Sequence, residues 1–510
     1  MKEESMESFS NFLEILDSHA SRRGNKTALY CNAEQISYAK LNENINRFGN
    51  VLKSIGIRPD RQVVLAFPDG PASFYAFFGA LKCGARPVLL SPDLSRNEYD
   101  AILLDCNAAA LLTVTSCEAA GAGMQASVKK LLFDDPNFNL LLQRADAHLE
   151  TYFRPADEIS FIQYTSGSTG NPKGVPHSQR DMIFSARQYA GHILNMTDED
   201  VVFSASKLFF GYGFGNSMTF PLYYGASTVL FPGRPTPSDV FQIIQQYSAT
   251  LFFAVPTFYH MLIKTMEGPM FLPSLRLCVS AGEALPAHTY GIWKKLTKLE
   301  ILDGIGSTEA LHIFISNRQG DVHPGSSGFL VPGYETKIVD ESGMTVREGK
   351  QGLLQVRGKS TAPFYWNKPS ESAKNMLPDG WLNTGDYYIE KDSCYTYQGR
   401  QDDLFKVGGA WVSPVRVEEA MRSHPAVFEC AVTSRKMEGL LQPMAYVVLS
   451  PGYQEDPDLT RQIRGHVLNQ LPGYMCPVQI NYVAQIPKTR TGKIQRFRLR
   501  KQFEGKKEEL

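Results

Sequence analysis

The sequence predicts an α/β fold, with a large N-terminal domain of layered α/β subdomains plus a small β-barrel-like part, followed by a small α+β C-terminal domain. Three observations support this prediction. Short apolar runs alternate with helical patterns up to about residue 320, glycine-rich strands of alternating polarity follow, and a polar break near residue 400 precedes a last set of helices and strands. We therefore expect an N-terminal domain over 1–400 and a C-terminal domain over 401–510.

The composition is that of an ordinary globular protein and excludes several function classes. Of 510 residues, 43% are hydrophobic, and 52 basic residues balance 52 acidic ones, so no net charge favours binding to nucleic acid or an anionic membrane. No apolar run approaches the ~18 residues of a membrane span, and Met1–Ser10 is polar and acidic, unlike a secretory signal. The eight cysteines form no C-x-x-C pair. We expect a cytoplasmic monomer or homodimer.

The first elements follow a strand–helix–strand rhythm. Apolar residues recur at helical spacing over Tyr38–Ile55, where Ser37 is the expected N-cap. The apolar run Gln62–Phe67 predicts a buried strand, and Ser73–Cys83 and Arg86–Leu90 predict the next helix and strand. The unit then repeats to about residue 114, which indicates mostly parallel sheets.

The same rhythm resumes in the middle of the chain. Its predicted strands are 201–204, 227–231, 250–255 and 275–280. A helix is expected near Phe214–Phe220 and should stop at Pro221. Because ligands in open α/β sheets bind beyond the carboxyl ends of strands, loops such as Ala281–Glu283 are candidate site positions.

The region from about residue 320 has a different pattern. Strands such as Glu335–Val339 and Gly352–Arg357 alternate in polarity, which favours an antiparallel section or a small barrel. Beyond the polar break at Gly399–Asp403, two helices and two strands predict the small C-terminal domain; they span 414–423, 429–433, 443–449 and 458–468.

The most distinctive local motif is Tyr164–Gly174, which holds three glycines, four Ser or Thr residues and one lysine, Lys173. It follows a predicted strand, Ile159–Tyr164, so its backbone N–H groups and hydroxyls could hold phosphate oxygens. The spacing is not that of a Walker A motif, which excludes the P-loop fold. From these residues alone, a phosphate-binding loop and an ordinary surface turn both remain open.

Four further motifs occur later in the chain: Asp303–Glu309, Asn383–Asp386, Gly399–Gly409 and Pro487–Lys493. Together with Tyr164–Gly174 and in this order, they resemble the adenylate-forming superfamily of acyl-CoA synthetases, peptide-synthetase adenylation domains and luciferases, over about residues 10–500. Two stretches, Lys207–Asn216 and Gly304–Phe314, are similar to the benzoate-CoA and anthranilate-CoA ligase branch.

The resemblance implies that ATP activates a small aromatic carboxylic acid. The carboxylate would attack the α-phosphorus to give an acyl-adenylate and pyrophosphate, and the thiol of coenzyme A would then displace AMP. ATP, Mg²⁺ and coenzyme A are the implied cofactors. Three alternatives remain open: transfer to the phosphopantetheine of a carrier protein, a non-catalytic nucleotide-binding protein, and a luciferase-like oxygenase.

By resemblance, the nucleotide site would use residues from all five motifs. The triphosphate would lie against Thr165, Ser166, Gly167, Ser168, Thr169, Gly170 and Lys173, and adenine would be framed by Gly282, Glu283, Ala284, Asp303 and Gly304. Glu309 would hold Mg²⁺, and Thr308 would bond the α-phosphate. Asp386 and Arg400 would bind the ribose, although Asp386 is also a plausible turn residue. Lys493 would reach the reacting oxygens, unless it is only a solvated lysine of a basic tail.

The acyl pocket implied by the resemblance has aromatic walls with glycine gaps, which suit a flat ring. Its expected residues are Phe209, Phe210, Tyr212, Gly213, Ala281, Gly304, Ile305 and His312. His312 either contacts the substrate or is structural, and His177 is expected to be structural. Asp402 would be the hinge of a mobile C-terminal domain, and Gly408 and Gly409 would line the thiol tunnel.

Overall fold

A computed structural model of the chain describes residues 11–122, 128–166, 172–408, 410–437, 440–488 and 494–504. It has the predicted α/β architecture. None of the helices in these ranges is both long enough and apolar enough to cross a membrane.

The first part of the chain alternates helices and strands as its apolar pattern predicts. Its elements are α1 (Phe12–Arg22), β1 (Thr27–Cys31), β2 (Glu34–Ser37), α2 (Tyr38–Ser54), β3 (Gln62–Ala66), α3 (Pro71–Lys82), β4 (Arg86–Leu89), α4 (Arg96–Asp105), β5 (Ala108–Thr113), β6 (Lys129–Leu132) and α5 (Pro136–Arg144). The predicted N-cap of α2 is confirmed, because the Ser37 side chain accepts a hydrogen bond from the Lys40 N–H.

The middle of the chain supplies most strands of the larger sheet. Its elements are β7 (Ile159–Ser166), β8 (Pro172–Ser178), α6 (Gln179–Ser185), β9 (Val201–Ser204), α7 (Gly211–Gly213), α8 (Phe220–Tyr224), β10 (Ser227–Leu230), α9 (Pro237–Tyr247), β11 (Leu251–Ala254), α10 (Pro256–Thr265), β12 (Leu277–Ala281), α11 (Ala287–Thr297), β13 (Ile301–Gly306), β14 (Ile313–Ser316) and β15 (Phe329–Leu330). Two π-helical segments, Ala186–Gly191 and Phe214–Thr219, follow α6 and α7.

The prediction that Pro221 stops a helix is wrong. Pro221 lies in the first turn of α8, directly after the π-helical segment Phe214–Thr219, and the helix ends at Gly225 with φ of 72°. The chain therefore stays helical from Gly211 to Tyr224, although the hydrogen-bond pattern changes twice along the way.

Two sheets carry the N-terminal domain. One has the strand order β6-β5-β3-β4-β7-β8, and the other has the order β15-β14-β13-β12-β11-β9-β10-β1-β2. In the second sheet, β9, β11, β12 and β13 are parallel, so their carboxyl ends lie along one edge. Between the sheets, the rings of Phe77, Phe161 and Phe214 pack with centroids 5.2–5.5 Å apart.

The remaining elements form the antiparallel section and the C-terminal part. They are β16 (Glu335–Val339), β17 (Gln351–Arg357), α12 (Pro369–Asn375), β18 (Leu382–Lys391), β19 (Cys394–Arg400), β20 (Phe405–Val407), β21 (Ala410–Val412), α13 (Pro414–Arg422), β22 (Val427–Met437), β23 (Leu440–Leu449), α14 (Pro457–Leu468), β24 (Gln479–Tyr482) and α15 (Arg496–Glu504). Strands β16–β19 pair in order as an antiparallel sheet, and within the described ranges this pairing closes no barrel.

The C-terminal part has its own core and one buried charged centre. Strands β22, β23 and β24 form a three-stranded sheet that packs with α13 and α14. The Arg496 guanidinium, only 11% exposed, lies 2.7 Å from Glu418 and 3.1 Å from Asp403, so it links the last helix to the start of this part. The boundary at 400 and the mobility of this part remain predictions.

Candidate active site

The carboxyl edge of the larger sheet brings several predicted site segments together. Ala281–Ala284 follows β12, and Gly304–Glu309 follows or ends β13, its neighbour in the sheet. Gly211, from the segment after β9, lies between the two sheets. An added Cβ would be in van der Waals contact with both of them, 3.7 Å from Thr308 Cα and 3.4 Å from the Gln163 side-chain oxygen on β7. Residues of both sheets therefore meet around Gly211, where a cleft between them is expected.

The predicted phosphate motif forms a β-hairpin of β7 and β8, in which Thr165 pairs with Lys173. Gly167, Ser168, Thr169 and Gly170, at its tip, lie outside the described residues. The hairpin is held near its tip end, since the Tyr164 hydroxyl donates to Asp105 at 2.5 Å. This contact and the pairing of Thr165 with Lys173 position the described ends of the two strands.

His177 connects this hairpin to the next motif. Its Nε2 lies 2.8 Å from the Thr308 carbonyl oxygen, and its Nδ1 lies 3.0 Å from Asp181. The imidazole is buried, and it ties β8 to the turn that carries Thr308 and Glu309. This placement agrees with the structural role predicted for His177.

Glu309, the predicted Mg²⁺ ligand, is partly exposed, and its side chain accepts one hydrogen bond within the described residues. The Tyr365 hydroxyl donates to its Oε1 at 2.6 Å, and the Ala362 N–H donates to its carbonyl oxygen at 2.7 Å. Within the described residues, no protein group bonds its second carboxylate oxygen. Lys173 Nζ lies 5.1 Å from the centroid of the Tyr365 ring, so the two charged groups flank one tyrosine.

The two predicted ribose residues are cross-strand partners on β18 and β19. Arg400 Nε lies 3.3 Å from Asp386 Oδ1, and this carboxylate raises the pKa of Arg400. The Asp386 side chain is 12% exposed and that of Arg400 is 49% exposed. Gly385, with φ of 73°, precedes Asp386 within β18 and has a backbone conformation that favours glycine.

The predicted adenine frame contains two carboxyls that are poorly solvated. Glu283 Oε2 accepts a hydrogen bond from Thr257 at 2.7 Å, and burial raises the Glu283 pKa. Asp303 accepts a long bond of 3.3 Å from the Leu285 N–H, and burial raises its pKa to about 8. In the described part of the chain, one oxygen of each carboxyl is buried without a partner.

Four of the predicted acyl-pocket residues lie in one short segment, Phe209–Gly213. The rings of Phe209 and Phe210 pack edge to face at 4.5 Å. The Tyr212 hydroxyl donates to the Val279 carbonyl oxygen at 3.2 Å, just before Ala281. Glycine is required nearby, because a Cβ on Gly213 would lie 2.1 Å from the Lys207 carbonyl oxygen and one on Gly304 would lie 2.7 Å from that of Ile315. Ile305, also partly exposed, follows Gly304.

His312 lies behind this segment in the core. Its Nε2 donates to Asn216 at 3.0 Å, and three rings pack around it, those of Tyr189, Tyr212 and Phe220, at 4.5–5.7 Å. Burial lowers the pKa of His312 to about 3, so the imidazole is neutral. The contacts favour the structural alternative, in which His312 shapes the pocket from behind.

The hinge and tunnel residues are described in part. Asp402 is exposed in a turn after β19, whereas Asp403, next to it, is bound to Arg496. Gly408 is exposed and has φ of 56°. Gly409 and Lys493 lie outside the described residues.

Sequence reasoning missed two contacts at this site. Asp69, buried between β3 and α3, accepts a bond from the Leu208 N–H at 3.1 Å and lies 3.7 Å from Lys207 Nζ. Tyr365 was also missed, as it lies outside all five motifs. A signal was present in its aromatic run, Phe364–Trp366, but such runs are most often core.

Comparisons with known proteins match nearly the whole chain. The family model of AMP-binding enzymes matches residues 16–366, and that of the AMP-binding enzyme C-terminal domain matches 416–493. Benzoate–CoA ligase of Thauera aromatica is 40% identical, covering 94% of this chain and 93% of that protein. The 4-hydroxybenzoate–CoA/benzoate–CoA ligase of Rhodopseudomonas palustris is 36% identical, with coverage of 95% and 92%.

Solved structures agree with these relatives. The crystal structure of the anthranilate CoA ligase AuaEII in complex with anthranoyl-AMP has a TM-score of 0.90 at 38% identity and covers 96% of this chain and 97% of its own. A benzoate CoA ligase from Burkholderia xenovorans LB400 has a TM-score of 0.89 at 36% identity, with coverage of 96% and 100%. The resemblance drawn from the five motifs is confirmed.

Proposed function

Because the chain belongs to the AMP-binding enzyme family, within its benzoate-CoA and anthranilate-CoA ligase branch, we propose that it is an acid–thiol ligase that joins an aromatic carboxylic acid to coenzyme A. One observation supports the proposal: a Cβ on Gly211, beside Tyr212, would lie 3.4 Å from the Gln163 side chain on the strand that leads into the phosphate hairpin and 3.7 Å from Thr308, next to Glu309. We propose that the cleft between these residues has a polyanion-binding side and a ring-binding side.

The first half-reaction requires the carboxylate to approach a triphosphate of the same charge. Lys173 and Arg400 supply positive charge on this side of the cleft, and Lys493 is proposed to join them at the reacting oxygens. The carboxylate oxygen forms a bond to the α-phosphorus as the bond to pyrophosphate breaks. Positioning and charge compensation by these side chains are the main contributions that the protein can make.

Mg²⁺ fits the residues present. Glu309 offers one carboxylate oxygen without a protein partner in the described ranges, and no cluster of three or more His, Cys, Asp or Glu side chains there would enclose a metal ion. A cation shared between one carboxylate and substrate phosphates is the usual Mg²⁺ arrangement. When bound, Mg²⁺ would neutralise phosphate charge and polarise the phosphate oxygens.

In the second half-reaction the thiol sulfur attacks the acyl carbon, and AMP leaves with its phosphate oxygen. We propose that Asp402 allows the C-terminal domain to turn between the two steps, which brings Gly408 and Gly409 to the thiol path. Asp402 is exposed in a turn, so a change in its backbone angles disrupts no packing.

The experiment incubates the purified protein with ATP, Mg²⁺, coenzyme A and a panel of acids: benzoate, anthranilate, hydroxybenzoates, and cyclic and short aliphatic acids. Trapping of acyl-adenylates by hydroxylamine ranks the acids, and chromatography detects acyl-CoA and AMP. We expect the aromatic acids to be preferred and to yield stoichiometric acyl-CoA. Absence of acid-dependent pyrophosphate exchange would overturn the proposal, and adenylate formation without acyl-CoA would favour a carrier protein as acceptor.

We also propose that the enzyme works in the cytoplasm. All eight cysteines are free, and six of them are buried. Free thiols persist in a reducing compartment, where ATP and coenzyme A are also available. Cell fractionation followed by immunodetection tests this location, and recovery outside the cytoplasmic fraction would contradict it.

A further inference from the structure

Tyr365 lies between the two charged side chains of the phosphate side of the cleft. Its hydroxyl donates to Glu309 Oε1 at 2.6 Å, and Lys173 Nζ lies 5.1 Å from the centroid of its ring. The residue is 6% exposed, so its contacts are well shielded from water. Neither contact was predicted from the sequence, because Tyr365 lies outside the five motifs.

The segment that carries Tyr365 is fastened on both sides. The Ala362 N–H donates to the Glu309 carbonyl oxygen at 2.7 Å, and the Trp366 N–H donates to the Gly174 carbonyl oxygen at 2.7 Å. The Tyr365 N–H itself donates to Ser372 Oγ at 2.9 Å. The backbone therefore bridges the turn of Glu309 and the strand of Lys173, which places the Tyr365 ring between these two residues.

The hydroxyl contact has a definite chemical consequence for Glu309. A phenol, whose ordinary pKa is about 10, is a hydrogen-bond donor at neutral pH. Donation to Oε1 fixes the plane of the carboxylate and directs Oε2 away from the tyrosine, where it can accept a cation. Hydrogen bonds from outer groups to a metal-ligating carboxylate commonly set metal affinity in this way.

We propose that Tyr365 is a positioning residue of the phosphate site: its hydroxyl orients Glu309 toward the divalent cation, and its ring holds Lys173 toward the triphosphate. The inference rests on the proposed function, because it takes Glu309 as the ligand of a nucleotide-bound cation. It concerns adenylation and not thiol transfer, since the Tyr365 side chain lies between Glu309 and Lys173, both assigned to the triphosphate.

The principal test is Tyr365→Phe, which keeps the ring beside Lys173 and removes the hydroxyl. Titration of Mn²⁺ in the presence of a non-hydrolysable ATP analogue, followed by electron paramagnetic resonance, should show about 10-fold weaker cation binding. The Mg²⁺ concentration that half-saturates pyrophosphate exchange should rise to a similar extent. Thioester formation from a supplied aryl-adenylate should be unchanged.

The matched control is Tyr334→Phe. Tyr334 is buried as deeply, and its hydroxyl lies 2.7 Å from Ser360 and 3.5 Å from the Ala310 carbonyl oxygen, but within the described residues it makes no hydrogen bond to the Glu309 carboxylate. This variant should bind Mn²⁺ as the wild type does. Tyr365→Leu, which also removes the ring, should raise the ATP concentration at half-saturation above that of Tyr365→Phe.

Two outcomes would overturn the inference. The first is that Tyr365→Phe binds Mn²⁺ as tightly as Tyr334→Phe does. The second is that Tyr365→Phe weakens Mn²⁺ binding as much when it is added to Glu309→Gln as when it is added to the wild type. The second comparison is a double-mutant cycle, which removes any general loss of stability from the result. If no acid supports pyrophosphate exchange even in the wild type, the proposed function fails, while the Mn²⁺ titration still decides the role of Tyr365.

Discussion

In the region proposed as the aryl pocket, His312 and Tyr212 each bond to the protein itself, whereas in the proposed phosphate region Glu309 and Lys173 have few contacts. His312 donates to Asn216 within a shell of aromatic rings, and Tyr212 donates to a strand carbonyl. Glu309 has one recorded side-chain bond, and Lys173 lies beside one ring. The wall of the proposed pocket is thus part of the folding core, whereas the side chains of the proposed phosphate region, Glu309 and Lys173, extend from that core.

This difference separates the energetic roles of the two regions. A change in the aryl pocket should reduce folding stability and substrate binding together, because the same contacts serve both. A change in the phosphate region should reduce catalysis with little effect on stability, because its side chains contribute few buried contacts. The following variants test this comparison.

The largest effect is expected from Lys493→Ala. Loss of a positive group at the reacting oxygens should lower acid-dependent pyrophosphate exchange by about 10²–10³-fold, while the unfolding midpoint stays unchanged. Thioester formation from a supplied aryl-adenylate should be nearly intact, as measured by acyl-CoA release. Lys488→Ala is the matched control, since its Nζ is already paired with Glu429 at 2.6 Å. Equal loss in both half-reactions would reject the assigned role of Lys493.

His312→Leu tests the aryl-pocket side of this comparison. It leaves Asn216 Oδ1 buried without its donor, so the free energy of unfolding should fall by about 1–3 kcal/mol, and the KM for the aromatic acid should rise. Urea unfolding and steady-state kinetics measure the two effects. Reduced activity at full stability would show that His312 contacts the substrate and would break the comparison.

Asp402→Pro tests whether adenylation is independent of the domain motion that we propose for thioester formation. Pyrophosphate exchange should be retained, whereas thioester formation should slow on the order of tenfold, because proline restricts φ at the turn. The control is Asp403→Asn, which weakens the pairing with Arg496 and should affect both half-reactions alike. Thioester formation at the wild-type rate would rule out a hinge at this position.

The smallest effect concerns pH. Burial lowers the pKa of His312 to about 3 and those of His19 and His260 to about 4. Below pH 6.5 these histidines bind protons in the unfolded chain but stay neutral in the folded protein. The free energy of unfolding should therefore fall as the pH falls from 7 toward 4.

His312→Gln should make this fall shallower. Between pH 7 and 5.5 the loss of unfolding free energy should be smaller than in the wild type by about 1 kcal/mol, as measured by urea unfolding at each pH. An unchanged slope in His312→Gln would contradict a neutral, buried imidazole.

The alternation of helices and strands was largely predictable, because it depends on local apolar patterns. The roles of Lys173, Asp386 and Arg400 came from the family resemblance and remain predictions, although the structure pairs Asp386 with Arg400 and folds Lys173 into a hairpin. The contact of His312 with Asn216 joins residues 96 positions apart, and no local pattern encodes it. Pro221 was misjudged because proline in a first helical turn and proline at a helix end look alike in sequence.

The buried ion cluster of Arg496, Glu418 and Asp403 limits how the C-terminal domain can travel. It fastens the last helix to the chain directly after Asp402, so Asp403 must move with the domain as one body. On the other side, the Gln401 N–H is bonded to the Gly385 carbonyl oxygen of the large domain. The rotation proposed for this domain would fall on the backbone around Asp402, where it would also have to break the hydrogen bonds from the Asp403 and Leu404 N–H groups to the Arg400 carbonyl oxygen.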